Sequence, residues 1–233
     1  MKSLSVTLVG ACLALSVGAL PMIPPSSPNL EPPREGKPYP PVMVREGGDK
    51  LLSLGCPVTA SVAKPEQGEL ASLTDGDKEL VDGPGYTDGP ALLKIAAGVQ
   101  WFQVDLRTSQ VINAVWIWRH HYLPCVYRDV VVQLSDDADF KDGVTTVFNN
   151  DHDNSAGLGA GEDKEYIETN RARPIPVPGI RARYVRAYSN GRYSANREFD
   201  PFNYCTEIEV YGGEATSEEK VRIEPMFPKP PFR

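Results

Sequence analysis

The feature that most constrains this chain is its punctuation. Short runs rich in β-branched and aromatic residues are closed, again and again, by clusters of Gly, Asp, Asn or Pro. Residues 101–106 alternate, with Phe102, Val104 and Leu106 on one face and Gln103 and Asp105 on the other. Residues 111–118 are apolar on both faces, the pattern of a central sandwich strand. Val130, Val132 and Leu134 alternate with Val131 and Gln133, and residues 184–188 are again rich in strand formers. Residues 206–211 place Ile208 and Val210 inward and Glu207 and Glu209 outward. Between the runs stand Asp75-Gly76-Asp77, Asp82-Gly83-Pro84-Gly85, Asp142-Gly143 and Asn190-Gly191. Helical periodicity is almost absent and no internal repeat is evident. The pattern predicts an all-β protein, an antiparallel β-sandwich.

The ends read differently. Met1-Lys2 followed by an uncharged stretch to Leu20, with Val17 and Ala19 as a small-residue cleavage pair, predicts an export signal over residues 1–19. The run leads straight into Pro21, which disfavours a spanning helix. Val9-Gly10-Ala11-Cys12 loosely resembles a lipoprotein box, but the apolar run continues past Cys12. Residues 20–48 carry Pro24-Pro25, Pro32-Pro33 and Pro40-Pro41 and read as an extended linker. Residues 214–233 form a charged, then proline-rich tail. The folded part is therefore expected over residues 49–213 of the 233; an apolar composition of 41% over the whole chain is enough for a core. A net charge of −7 argues against a nucleic-acid partner and suits an extracellular protein or one that holds a divalent cation.

Five segments together resemble the discoidin (coagulation factor 5/8 type C) family. They are Leu52-Ser53-Leu54-Gly55-Cys56-Pro57-Val58-Thr59-Ala60-Ser61, Leu73-Thr74-Asp75-Gly76-Asp77, Trp101-Phe102-Gln103-Val104-Asp105-Leu106, Ala182-Arg183-Tyr184-Val185-Arg186 and Glu207-Ile208-Glu209-Val210-Tyr211-Gly212. Their order carries the resemblance. It implies a galactose-binding-like jelly roll whose first and last strands are neighbours, and a binding module for sugars or, in animals, phospholipids. Cys56 and Cys205 depart from the family pattern, which has lysine and an aromatic residue there.

The resemblance also implies a buried calcium held by the Asp-Gly-Asp loop and a glutamate of the last strand, here Asp75, Asp77 and Glu207. A hard cation favours such oxygen ligands. A second acidic loop, from Asp151-His152-Asp153 to Glu162, has some EF-hand spacing but Ala156 where glycine is expected, and reads as a polar surface loop. The expected ligand face lies in loops at one end: Arg119, His121, Tyr122, Tyr193, Phe199, Phe202 and Asn203 supply the aromatic surfaces and planar donors that sugar recognition uses. Removing the signal leaves Cys56, Cys125 and Cys205, one pair at most. If first and last strands adjoin, Cys56 and Cys205 are the favoured disulfide, closing about 150 residues and worth roughly 3–5 kcal/mol. Cys125 with Cys205 is the competing pair.

Catalysis has little to stand on. Only His120, His121 and His152 are present, with no GxSxG, HExxH or phosphate-binding loop. The sequence therefore predicts a secreted or cell-surface, non-catalytic module that binds carbohydrate and carries a structural calcium. The alternative is a cell-envelope scaffold or adhesion protein that binds another protein, its proline-rich ends serving as spacers.

Overall fold

The computed structural model describes residues 27–32, 49–78, 91–121, 124–194 and 198–213, with the backbone alone at 42–45 and 223–226. The expected signal segment, with Cys12, lies outside the described residues, as do Tyr122, the turn at residues 82–85 and most of the linker and tail.

Fourteen strands are described: β1 (Val42–Arg45), β2 (Lys50–Leu51), β3 (Val58–Ala60), β4 (Leu93–Ala97), β5 (Gln100–Trp118), β6 (Val126–Tyr127), β7 (Val131–Ser135), β8 (Thr145–Asn149), β9 (Arg173–Ser189), β10 (Arg192–Tyr193), β11 (Phe199–Asp200), β12 (Phe202–Cys205), β13 (Glu207–Gly212) and β14 (Ile223–Met226). One 3-10 turn, Leu70–Thr74, follows β3. The expected antiparallel β-sandwich is what forms.

Two long strands organise it. β5 and β9 pair antiparallel along nearly their whole length, broken between Asp105 and Gln110 and again between Ile112 and Ala114. At the first break Arg107 takes a left-handed conformation, φ 69°. Asp105 accepts two hydrogen bonds from the Arg183 guanidinium at 2.7 and 2.8 Å, which clamps the two strands beside the corner. Either side of the corner the neighbours change. The first half of β5 pairs with β3, and the second half of β9 with β7 and then β8. The second half of β5 pairs with β13, which pairs with β2. One hydrogen-bonded ribbon thus supplies both layers, as strands do when they switch sheets at a bulge.

The core follows the register. Phe102, Val104 and Leu106 from the first half of β5 join Ile112, Val115 and Ile117 from the second in one buried cluster, with Val132, Leu134, Val185, Ile208 and Val210. The change from even to odd positions is the bulge at residues 112–114. The other face of residues 111–118 is also covered: Ala114, Trp116 and Trp118 pack with Ala172 and Tyr211. Pro174, Pro176 and Pro178 fall at alternate positions in the half of β9 that pairs only with β5 among the described strands, so their missing N–H groups fall on one edge.

Two expectations need correction. Glu207 and Glu209 do not face solvent; they are 0% and 3% exposed. The loop after the 3-10 turn lies over them, with Gly76 N–H donating to Glu207 and Lys78 paired to Glu209 at 2.6 Å. The segment before the last strand is not all loop. β12 pairs with β4, placing Asn203 at the centre of a closed hydrogen-bond set. Its Oδ1 accepts from Ser189 Oγ (2.8 Å) and Gly191 N (2.9 Å), and its Nδ2 donates to Ala96 O (3.0 Å) and Gly98 O (2.8 Å).

Asn203→Ala would strand two buried donors, Ser189 Oγ and Gly191 N, and two half-buried carbonyls, Ala96 O and Gly98 O. We expect a loss of about 2–4 kcal/mol in urea unfolding, and an unchanged midpoint would contradict this account of the end of the sandwich.

Candidate functional site

The turn Asn190-Gly191 leads β9 into β10, which pairs with β11 on one side and β6 on the other. Gly191 has φ +70°, and a Cβ there would lie 2.5 Å from Asp200 O. The close approach of β10 and β11 thus requires glycine. In this register Tyr193 stands opposite Phe199. Their rings are 5.4 Å apart and remain open to solvent, at 37% and 46% exposure. The Arg128 guanidinium lies 5.8 Å from the Tyr193 ring and 6.0 Å from the Phe199 ring.

Beside Tyr193 opens a cavity of about 350 Å³, walled by Ser27-Pro28-Asn29, Val126, Arg128, Asp129, Asn150, His152, Asp153 and Glu165. Asp129 is buried in a left-handed conformation, φ 52°. Its Oδ2 accepts from Ser155 Oγ and Asn190 Nδ2, each at 2.7 Å. Asn150 is 2% exposed; its Oδ1 accepts Val130 N at 2.6 Å, while its Nδ2 has no partner. His152 Nε2 and Glu165 Oε2 are likewise buried without partners. Three unsatisfied polar atoms in the wall of one cavity are costly, on the order of 1–3 kcal/mol each, unless a polar molecule meets them.

The acidic loop read as polar surface contributes to this wall. Asp129, Asp151 and Asp153 have carboxylate oxygens within 4.8 Å of one another, the one such trio among the described residues. Those oxygens already take donors from the loop. Ser155 N donates to Asp151 and Asp153 at 3.0 Å each, and Ala156 N to Asp151 at 2.8 Å. The hydrogen bonds from Ser155 hold the Asp153 carboxyl below its usual range.

Of the residues expected at the ligand face, Tyr193 and Phe199 are the two that the structure brings together with their rings exposed. Phe202 is half-buried with Lys94 Nζ 3.7 Å from its ring centroid. Arg119 is corrected: it is 1% exposed, ion-paired with Glu168 at 3.4 Å and stacked 4.9 Å from Tyr127. Asn203, with all its hydrogen-bonding groups used internally, is corrected too. Both lie inside the sandwich because the β5 end and β12 are covered by neighbouring strands. His121 bonds Arg119 O through Nδ1 at 2.8 Å, and burial pushes its pKa down; burial pushes His120 down to about 4. Residue types alone did not single out Arg128, Asn150 or Glu165. Their signal is only the turn Arg128-Asp129 and polar residues flanking a strand.

At the expected calcium position, Glu207 Oε2 accepts from Gly76 N at 3.2 Å, and Asp75 Oδ1 accepts from Asp77 N at 2.8 Å. The three carboxylates are less tightly gathered than the trio above. Glu207 Oε1 is nevertheless buried with no partner, and burial, with Glu209 and Asp75 adding repulsion, pushes the carboxyl up to about 9. A cation fits this: it would partner the orphaned oxygen and favour the charged form.

The expected Cys56–Cys205 disulfide is absent, and the competing Cys125–Cys205 pair with it; all three thiols are free and buried. The chain turns at Leu54-Gly55 and carries Cys56 toward β3 on the first half of β5. Cys205 instead sits beside Trp118, at the far end of the second half, its thiol donating to Trp118 O at 3.3 Å. Cys125 donates to His120 O at 2.8 Å.

Because the folded Glu207 holds its proton up to about 9, well above the usual carboxylate value, the native state binds more protons than the unfolded chain between about pH 4.5 and 9. The Glu207 contribution to stability without added cation should therefore fall as pH rises through that window; below about pH 6.5 His120 and His121, whose values burial depresses, act in the opposite sense, so the Glu207 slope is read above pH 7. Glu168, pushed up to about 7 by burial, adds to the fall at its lower end. Glu207→Gln should remove the part of the slope above pH 7 in thermal melts; a slope that persists there would refute this assignment.

No protein-family model matches the sequence, and no curated protein matches it. Solved structures do. Chitosan-binding module 1 of a chitosanase/glucanase from Paenibacillus sp. IK-5 is 23% identical, with 70% of this chain and 99% of that chain covered and a TM-score of 0.44. The family 32 carbohydrate-binding module of NanJ from C. perfringens, in complex with galactose, is 12% identical over 70% and 98%, TM-score 0.47. The corresponding module of AlyQ, in complex with 4,5-unsaturated mannuronic acid, is 18% identical over 66% and 92%, TM-score 0.46.

Proposed function

We propose that this protein is a non-catalytic module that binds carbohydrate at the end of the sandwich where Tyr193, Phe199 and Arg128 meet the adjoining cavity. The observation that carries the reading is the exposed aromatic pair, set beside a cavity whose wall holds unpartnered donors and acceptors. Aromatic rings pack against the apolar C–H faces of a sugar, and planar polar groups sort its hydroxyls. With His120 and His121 held neutral at physiological pH, neither serves as a ready proton shuttle, which favours recognition over chemistry.

Charge narrows the ligand. Asp129, Asp153 and Glu165 outnumber Arg128 in the cavity wall, so an added carboxylate or sulfate would meet repulsion. The reading is of a neutral glycan. Export by residues 1–19 and display outside the cell or at its surface belong to the same proposal, as does a structural calcium at Asp75, Asp77 and Glu207. Among the described residues no helix is long and apolar enough to cross a membrane.

On a glycan array the purified chain should bind neutral oligosaccharides and reject uronic-acid and sulfated ones. Tyr193→Ala and Phe199→Ala should each weaken binding by about tenfold, roughly 1.4 kcal/mol, while Leu54→Ser, an exposed apolar position away from the site, should not. Absence of any glycan signal, a preference for acidic glycans, or full binding by both aromatic variants would defeat the proposal.

A further inference from the structure

Residues 27–31, within the stretch read as an extended linker, are docked on the domain. Leu30 forms a parallel bridge with Glu165: Glu31 N donates to Glu165 O at 2.9 Å, and Glu165 N donates to Asn29 O at 3.2 Å. A turn precedes it, with Leu30 N bonded to Ser27 O and Asn29 N to Ser27 Oγ, both at 3.1 Å. Glu31 pairs with Arg173 at 3.4 Å, and both side chains are shielded, at 13% and 19% exposure. Arg173 is itself fixed, donating to Lys164 O at 3.1 Å and stacking 5.0 Å from Phe148 and from Tyr166.

This docking places Ser27, Pro28 and Asn29 in the wall of the cavity beside Tyr193. Glu165 joins the two systems. Its backbone holds the segment, while its side chain lines the cavity with an unpartnered Oε2. Buried Asn150 and its unpartnered Nδ2 share that wall. Proline at positions 28 and 32 limits the unfolded freedom of the segment and so lowers the entropy lost on docking.

We infer that residues 27–31 are part of the ligand site, so that docking of this segment and binding of glycan at the Tyr193 cavity strengthen each other. The inference rests on the recognition face proposed above. A ligand that touches both the segment and the body favours the docked state. Linkage then requires that whatever undocks the segment weaken the ligand by the same factor by which the ligand strengthens docking.

The test uses the full chain and the neutral oligosaccharide that the array selects. Glu31→Arg sets like charges against Arg173 and should weaken binding about tenfold with no change in the main urea transition. The swapped pair, Glu31→Arg with Arg173→Glu, should recover most of that loss, which a variant damaged at Phe148 and Tyr166 would not. Hydrogen exchange gives the reciprocal reading: saturating glycan should slow exchange at the Leu30 and Glu31 amides by a similar factor. Affinity unchanged in Glu31→Arg, or exchange at those amides indifferent to glycan, overturns the inference while leaving the recognition face standing. A wild-type chain that binds no glycan at all overturns both.

Discussion

The antiparallel pairing of β5 with β9 is the constraint from which the rest of the structure follows. Each strand is too long for one layer, and the ladder between them survives a corner only because register is lost at two places. The Arg183–Asp105 clamp and the left-handed Arg107 define where that corner falls. Once it is fixed, β3, β7 and β8 gather on one side and β13 and β2 on the other, and the apolar faces of both halves meet in a single core. The same pairing sets the position of Ser189, where β9 ends and the chain turns into β10. The aromatic pair is therefore placed by a ladder that begins some distance away, on the other side of the corner.

Much of this was readable in the residues. The alternation of Phe102, Val104 and Leu106, the doubly apolar run at 111–118 and the turns at Asp142-Gly143 and Asn190-Gly191 all translate directly into observed elements. The errors have physical causes. Glu207 and Glu209 look solvated because alternation says which face a residue is on and nothing about what covers it; here the Asp75–Lys78 loop does. Strand β12 was hidden because four residues show too little alternation to mark a strand, and its partner β4, although bounded by Gly89-Pro90 and Gly98, is itself only five residues long. Cys56 and Cys205 looked bridgeable since neighbouring strands do adjoin, but Gly55 turns the chain away before the thiols meet.

The site was legible by type and not by address. Tyr193 and Phe199 were identifiable as exposed aromatics near the end of the sandwich, whereas Arg119 and Asn203, chosen on the same chemical grounds, serve as interior struts. The cavity draws on five separated stretches: the 27–29 segment, the β6 turn, the acidic loop, Glu165 and β10. Only topology brings these together. Ser155 illustrates the point, since its hydroxyl and amide tie Asp129 to Asp151 and Asp153: its place in the acidic loop shows in the spacing, but its contact with the distant Asp129 does not.

The three buried thiols bear on what secures such a fold. None is spent on a cross-link, and burial pushes Cys125 and Cys205 up to about 12, so at neutral pH they stay protonated and slow to react. Among the described residues the fold is therefore held without a disulfide. What holds the described domain together is packing and hydrogen bonding, with the thiols filling core volume as small apolar side chains do.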